Sequence, residues 1–211
     1  MHPHAGQPIV QAGAPLGRAP AVAIMVHGRN AAPANILDLV PRLARPHVTY
    51  LAPAAAGRTW YPHSFLAEIA SNEPGLSSGL TVLESLVARA EAAGIPRTKI
   101  VLLGFSQGAC LALEFAARNP TTYAAVVGLS GGLIGPPGTS RHYPGSLDGT
   151  PVFLGCSDID PHIPLDRVNE SADVFARMGA RVDKRIYPGM AHTIIAAEID
   201  AVDTLLTSTN T

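Results

Sequence analysis

The sequence predicts an α/β fold, a mostly parallel sheet of about six or seven strands with helices on both faces. Three observations carry that expectation. Short apolar, β-rich runs alternate with longer helix-like segments along the whole chain, which is the pattern of repeated βα units. Hydrophobic residues make up 47% and charged residues only 15%, as fits a globular chain with several fully buried strands. The length of 211 residues suits one sizeable core, so residues 1–211 read as a single domain with no segment long enough for a large lid domain.

In chain order, residues 9–14 offer an extra edge strand, weakly signalled because the run is rich in Gly and Ala. The apolar run 21–26 is the first clear strand, followed by a helix over 34–43 and a strand over 48–52. A helix over 76–93 stops at Gly94, a strand follows over 99–103, and a helix over 107–118 stops at Asn119-Pro120. Strands over 124–129 and 151–155 come next, then a helix over 165–178 that ends at Gly179, a strand over 182–187 and a last helix over 193–206. Two connections, 53–75 and 130–150, are long for a compact domain. Long connections in such folds are usually functional or mobile, so both are expected to build the ligand site.

Charge excludes several partners. Fifteen Lys+Arg offset 16 Asp+Glu to give a formal charge of −1, and no basic run appears, so neither nucleic acid nor an anionic membrane surface is a natural partner. A small neutral or amphiphilic molecule is. The start, Met1-His2-Pro3-His4, lacks the basic and apolar regions of a secretory signal, and no apolar run approaches about 18 residues. The expectation is a cytoplasmic protein without stable membrane insertion. Cys110 and Cys156 belong to no metal-type spacing and read as reduced core residues. No metal and no organic cofactor is indicated.

Gly104-Phe105-Ser106-Gln107-Gly108 matches G-x-S-x-G. It lies between the strand over 99–103 and the helix over 107–118, the strand–turn–helix setting in which such a serine becomes an exposed nucleophile. The turn is sharp enough that glycine at 104 and 108 is a steric requirement. The helix beginning at Gln107 aims free N–H groups and its positive dipole end at the site, so the Gln107 amide can hold a developing oxyanion. A second donor is expected from His27-Gly28-Arg29-Asn30, the loop after the first strand, with the Arg29 N–H assigned. His27 is expected to fix that loop and the Arg29 side chain to lie on a rim or in solvent.

With this motif the chain order is serine, acid, histidine. Of the eight histidines, His2, His4, His27, His47 and His63 precede Ser106, and His142 precedes the strand that should carry the acid. His162 stands too near the acid candidates. His192 remains, in a turn directly after the strand over 182–187, where an imidazole can take the hydroxyl proton and return it to a leaving group near neutral pH. The acid should follow the strand over 151–155, where Ser157-Asp158-Ile159-Asp160-Pro161 offers two carboxylates. Spacing alone does not choose between Asp158 and Asp160.

With these residues in place, the chain resembles the phospholipase/carboxylesterase family of α/β-hydrolases over nearly its whole length. The resemblance rests on His27-Gly28-Arg29, Gly104-Phe105-Ser106-Gln107-Gly108-Ala109, Leu129-Ser130-Gly131, Asp160-Pro161-His162-Ile163-Pro164 and Gly189-Met190-Ala191-His192. It implies the α/β-hydrolase fold, Asp160 as the acid because the family's aspartate directly precedes the proline, and Arg29 and Gln107 as oxyanion donors. Trp60-Tyr61 lies where relatives carry a Trp-aromatic pair in the loop over the acyl groove. Trp60, Tyr61 and Phe65 are therefore expected at the substrate, with Leu133, Ile134 and His162 as further candidates; ordinary packing of a long loop is the alternative for the aromatics. Asn72-Glu73-Pro74-Gly75-Leu76 resembles bacterial carboxylesterase members more than thioesterases that act on proteins.

The implied activity is a serine carboxylesterase that hydrolyses short to medium acyl esters through an acyl-enzyme, on a small-molecule substrate. A thioesterase or lysophospholipase with the same residues is the runner-up. A dienelactone hydrolase would place Cys at position 106, and a non-catalytic binding module would be expected to have lost a residue of the set. A homodimer is left open.

Overall fold

The computed structural model describes residues 2–207. Met1, at the head of the stretch read for a signal, and residues 208–211, at the end of the expected 1–211 domain, lie outside the described residues. Seven strands form one sheet: β1 (Ile9–Gly13), β2 (Val22–Val26), β3 (Thr49–Pro53), β4 (Ile100–Phe105), β5 (Ala125–Leu129), β6 (Pro151–Ser157) and β7 (Arg181–Tyr187). Their order across the sheet is β1-β3-β2-β4-β5-β6-β7. Neighbours run parallel except β1, which pairs antiparallel with β3.

The apolar runs are continuous because both faces are covered. Val22, Ile24 and Val26 of β2 belong to one core cluster, and Ala23 and Met25, pointing the other way, belong to another. Helices α2 (Gly75–Ala92), α3 (Gln107–Arg118) and α4 (Leu165–Arg177) pack on the first face. Helices α1 (Pro33–Leu37) and α5 (Ala196–Thr207) pack on the second. Helix α3 is buried from Gln107 to Ala117, including Glu114. That carboxylate is held by Arg118 Nε at 2.7 Å, the Tyr143 hydroxyl at 3.2 Å and the Ile134 N–H at 3.0 Å, as a buried charge requires.

Strands and helices fall within a residue or two of the sequence expectation, with two corrections. The helix expected over 34–43 is α-helical only over Pro33–Leu37 and resumes as a short 3-10 turn over Val40–Arg42, because Pro41 has no N–H to continue the ladder and its ring crowds the carbonyl of Leu37. The last helix begins at Ala196 rather than Thr193. Thr193-Ile194-Ile195 is β-branched throughout, and the Glu198 carboxylate accepts the Ile195 N–H at 3.0 Å, fixing the start. The weak signal over 9–14 does form a strand, at one open edge of the sheet, where Ile9 and Val10 are 38% and 41% exposed. The other edge, β7, carries exposed Arg181, Asp183, Lys184 and Arg185. Among the described residues no large lid domain is inserted.

Register aligns the functional ends. Val26 pairs with Gly104, Phe105 with Leu129, Leu129 with Gly155, and Ser157 with Tyr187. The loops holding His27–Arg29, Ser106, Asp158–Asp160 and His192 therefore leave the sheet at one edge, the carboxyl edge where ligands bind in open α/β sheets.

Candidate active site

Ser106 stands between β4 and α3 at φ 54°, ψ −121°, a backbone conformation that L residues avoid and that costs about 1–3 kcal/mol. It is tolerated because the surroundings enforce it. A Cβ on Gly104 would enter the backbone of Gly108, and one on Gly108 would enter the carbonyls of Val26 and His27, so the tight strand–helix crossing admits only glycine at both positions. The Ser106 N–H donates to Leu129 O at 2.9 Å, pinning the turn to β5.

The His192 loop follows β7 and turns at Gly189 (φ 68°). It reaches across to Ser106, whose hydroxyl lies 2.8 Å from Nε2, while Nδ1 lies 2.7 Å from Asp160 Oδ2. A carboxylate can only accept there, so the proton sits on Nδ1 and Nε2 is left to accept from the serine hydroxyl. The Asp160 side chain is wholly buried and that of His192 is 18% exposed. Asp160 Oδ1 also accepts the His162 N–H at 2.8 Å and the Ile163 N–H at 3.0 Å. Burial raises the Asp160 pKa, but the bonds from His192 and the two amides outweigh it and hold the carboxyl below its ordinary value. It therefore stays ionised at neutral pH. Asp158 does something else: its Oδ1 accepts the Gly189 N–H at 2.8 Å, tying the end of β6 to the histidine loop.

Ser106, Gln107, His192 and Arg29 line a cavity of about 420 Å³. The Arg29 and Gln107 backbone N–H groups have no partner among the described residues. Tyr61, Phe65 and His162 share this lining, with Ile163 and Cys110. The His162 and His192 rings meet in a T-shaped contact at 4.8 Å between centroids. Cys110 and Cys156 are free and buried, and burial pushes both thiols up to about 12.

Three expected substrate residues lie elsewhere. Trp60 is fully buried and absent from the lining. Its indole N–H donates to His27 O at 2.9 Å and its ring meets His4 and His27 at 5.2 and 5.1 Å, so the large ring anchors the loop from beneath instead of covering the groove. Leu133 and Ile134 are also fully buried and off the wall. Ser171 Oγ and Glu114 Oε2 accept their N–H groups at 2.9 and 3.0 Å, and Arg167 donates to Leu133 O at 2.7 Å, pinning the segment against α3 and α4.

The loop between β3 and α2 is held by side chains that the sequence reading assigned to other work or left out. Arg29 donates to the carbonyls of Tyr61, Pro62 and His63 at 2.9, 2.8 and 2.6 Å. Gln107 accepts the Trp60 N–H at 2.9 Å and donates to Tyr61 O at 2.8 Å. His27 donates from Nδ1 to Gly28 O at 2.8 Å and accepts the Ala55 N–H on Nε2 at 3.1 Å, which fixes its tautomer; burial lowers its pKa. His4 closes the underside, Nε2 to Trp60 O at 2.8 Å and Nδ1 from the Ala56 N–H at 3.1 Å. A glutamine among the small apolar residues opening α3 was the one available signal; His4 gave none. Among the described residues no group of His, Cys, Asp and Glu could hold a metal ion, and no helix is long and apolar enough to cross a membrane.

A family model described as Phospholipase/Carboxylesterase matches residues 13–210. The chain belongs to the phospholipase/carboxylesterase family. A solved phospholipase/carboxylesterase from Dyadobacter fermentans is 39% identical and superposes with a TM-score of 0.93 over 98% of this chain and 99% of that one. The family's α/β-hydrolase fold is thus the fold of this chain. Among curated relatives, acyl-protein thioesterase 1 of Yarrowia lipolytica is 32% identical over 68% of this chain and 65% of its own length. That of Neurospora crassa is 28% identical over 64% of this chain and 56% of its own length. The match therefore spans between about half and two thirds of the length of these thioesterases.

Proposed function

We propose that this family member is a serine carboxylesterase that hydrolyses short to medium acyl esters, with Ser106 as nucleophile, His192 as general base and Asp160 as orienting acid. The unbroken hydrogen-bond chain from Ser106 through His192 to Asp160, at 2.8 and 2.7 Å, carries the reading. Ser106 Oγ attacks the ester carbonyl as its proton passes to His192 Nε2, and the Arg29 and Gln107 amides receive the oxyanion. His192 then protonates the departing alcohol, and water repeats the sequence to free the acid. Asp160 holds the imidazole in the required tautomer and stabilises its cation. The modest cavity and the lack of an inserted lid among the described residues support short to medium acyl groups. Balanced charge and buried free thiols support a cytoplasmic setting with small-molecule substrates.

A fluorophosphonate probe should label the wild-type protein and fail to label Ser106→Ala. Ser106→Ala and His192→Ala should each lower kcat by about 10⁴-fold, with the double variant little worse, because residues that act as a unit do not lose additively. Additive losses, or labelling that survives in Ser106→Ala, would sink the assignment.

The thioesterase names of the curated relatives favour a second reading, in which the same residues cleave thioesters. Matched ester and thioester pairs with one acyl chain separate the two. The higher kcat/KM names the bond.

A further inference from the structure

A second cavity of about 420 Å³ borders His192 and shares Arg29 and Asn30 with the first, yet Ser106 and Gln107 do not line it. Its wall is formed by Ile36, Phe105 and Ile194 with Asn35 and Thr193, on the side of His27 and Gly28. We infer that this cavity is the alcohol subsite of the ester, and that it takes a neutral alcohol with an apolar body.

The inference rests on the esterase reading and deepens it. When the tetrahedral intermediate collapses, the bond between the carbonyl carbon and the alcohol oxygen breaks, and its electron pair stays on that oxygen. The proton held by His192 Nε2 goes to the same oxygen. The acyl carbon remains bonded to Ser106 Oγ, so the acyl chain belongs to the cavity that Ser106 lines. The departing oxygen must lie within reach of His192, and the space open behind it is the cavity that His192 lines without Ser106. One imidazole between two cavities thus divides the substrate.

The wall sets the class of alcohol. Arg29 is its one ionised side chain among the lining residues, and that guanidinium is engaged by the Tyr61, Pro62 and His63 carbonyls. His27 has both ring nitrogens bonded within its own loop, and burial favours its neutral form. The Asn35 side chain accepts the Ala32 N–H at 2.8 Å. The wall carries no carboxylate, and its one guanidinium is engaged by backbone carbonyls, so a charged alcohol meets no free counter-ion there, while Ile36, Phe105 and Ile194 offer apolar surface.

Ile194 is the residue to vary, half-buried against the second face of the sheet and outside the lining of the first cavity. Two series are measured by kcat/KM, one with a butyryl group on alcohols of increasing bulk and one with ethyl esters of increasing acyl length. Ile194→Ala should shift preference toward bulky alcohols by roughly 10-fold and Ile194→Trp should shift it back, both without moving the acyl-length optimum. Ile194→Val, the milder change, should give a smaller shift of the same sign, so the result does not depend on Ile194→Ala folding. Phe65→Ala should do the reverse, moving the acyl optimum alone. Wild type should prefer 3,3-dimethylbutyl butyrate over its charged isostere butyrylcholine. Ile194 variants that move the acyl series, or that leave the alcohol series flat, overturn the subsite; parity between the isosteres, or preference for the charged one, overturns the neutral class. If wild type cleaves no ester in either series, the esterase reading falls first and the subsite with it.

Discussion

Asp158 and Asp160 leave the same strand two residues apart and meet different partners. Asp160 faces the His192 imidazole, and Asp158 faces the backbone of the loop that delivers it. Sequence spacing left both open because the choice depends on how β7 and its loop return, which no local pattern encodes; the resemblance and the extended backbone that Pro161 imposes on Asp160 favoured Asp160, with Asp158 expected to accept loop N–H groups. Asp160→Asn should lower kcat by about 10⁴-fold with the fold intact, since an amide permits the wrong imidazole tautomer. Asp158→Asn should lower the melting temperature and change kcat far less, because what weakens is a loop tether. Thermal melts and kcat on one fast ester give the comparison, and an inactive, well-folded Asp158→Asn beside an active Asp160→Asn would reverse the roles. That Ser106 and His192 meet was legible because motif context and chain order are properties of the sequence. The side-chain bonds of Arg29 and Gln107 were not, since their acceptors lie in a loop whose path is set only by the assembled core.

Elements were legible where periodicity is strong. Helix α3 falls on the expected residues because a G-x-S-x-G turn opens it and Asn119-Pro120 closes it. The loop from β3 to α2 was legible only as a long connection. Its aromatics read as a cover for the substrate, yet Trp60 faces inward and the loop is bonded to the Arg29-Asn30 segment from both sides: Arg29 reaches its carbonyls, and the Asn30 N–H donates to Arg58 O at 2.8 Å. On the proposed mechanism Arg29 would be a positioning residue, since the guanidinium that holds the loop belongs to the residue assigned the second oxyanion donor. Arg29→Met keeps the backbone donor and removes the clamp; the expected result is a kcat loss of roughly 10–100-fold with KM little changed, as small misplacements of reacting groups have that cost. Arg29→Lys should recover part of it, because one ammonium can reach one of the carbonyls. A kcat equal to wild type in Arg29→Met would reduce the clamp to loop packing.

Over the whole molecule, two buried carboxyls set opposite pH dependences. Glu198 is fully buried, its Oε2 holding the start of α5 and its Oε1 without a partner among the described residues. Burial raises its pKa from 4.5 to about 7. Between those values the unfolded chain has released a proton that the folded chain still holds, so stability falls as pH rises through the window and stays lower above it. Asp160, held below its ordinary value, contributes stability above its unfolded pKa and loses that contribution as pH falls through the folded one. Glu198→Gln should therefore raise the melting temperature above pH 7, by an amount corresponding to about 3 kcal/mol at most, with the gain fading toward the ordinary carboxyl range. A melting-temperature gain independent of pH would mean that packing, not charge, is responsible.

The overall architecture was the most legible level, because βα alternation fixes a parallel sheet before any contact is known. The two open rims of that sheet differ in what they offer another chain. Along β7, the exposed charges of Arg181, Asp183, Lys184 and Arg185 form a charged rim of the kind that discourages edge-to-edge pairing. Along β1, Ile-Val-Gln-Ala-Gly carries no charge at all. Self-association that extends the sheet is thus discouraged at one rim and left undefended at the other, which makes any growth by strand addition one-ended, stopping at a pair joined through β1.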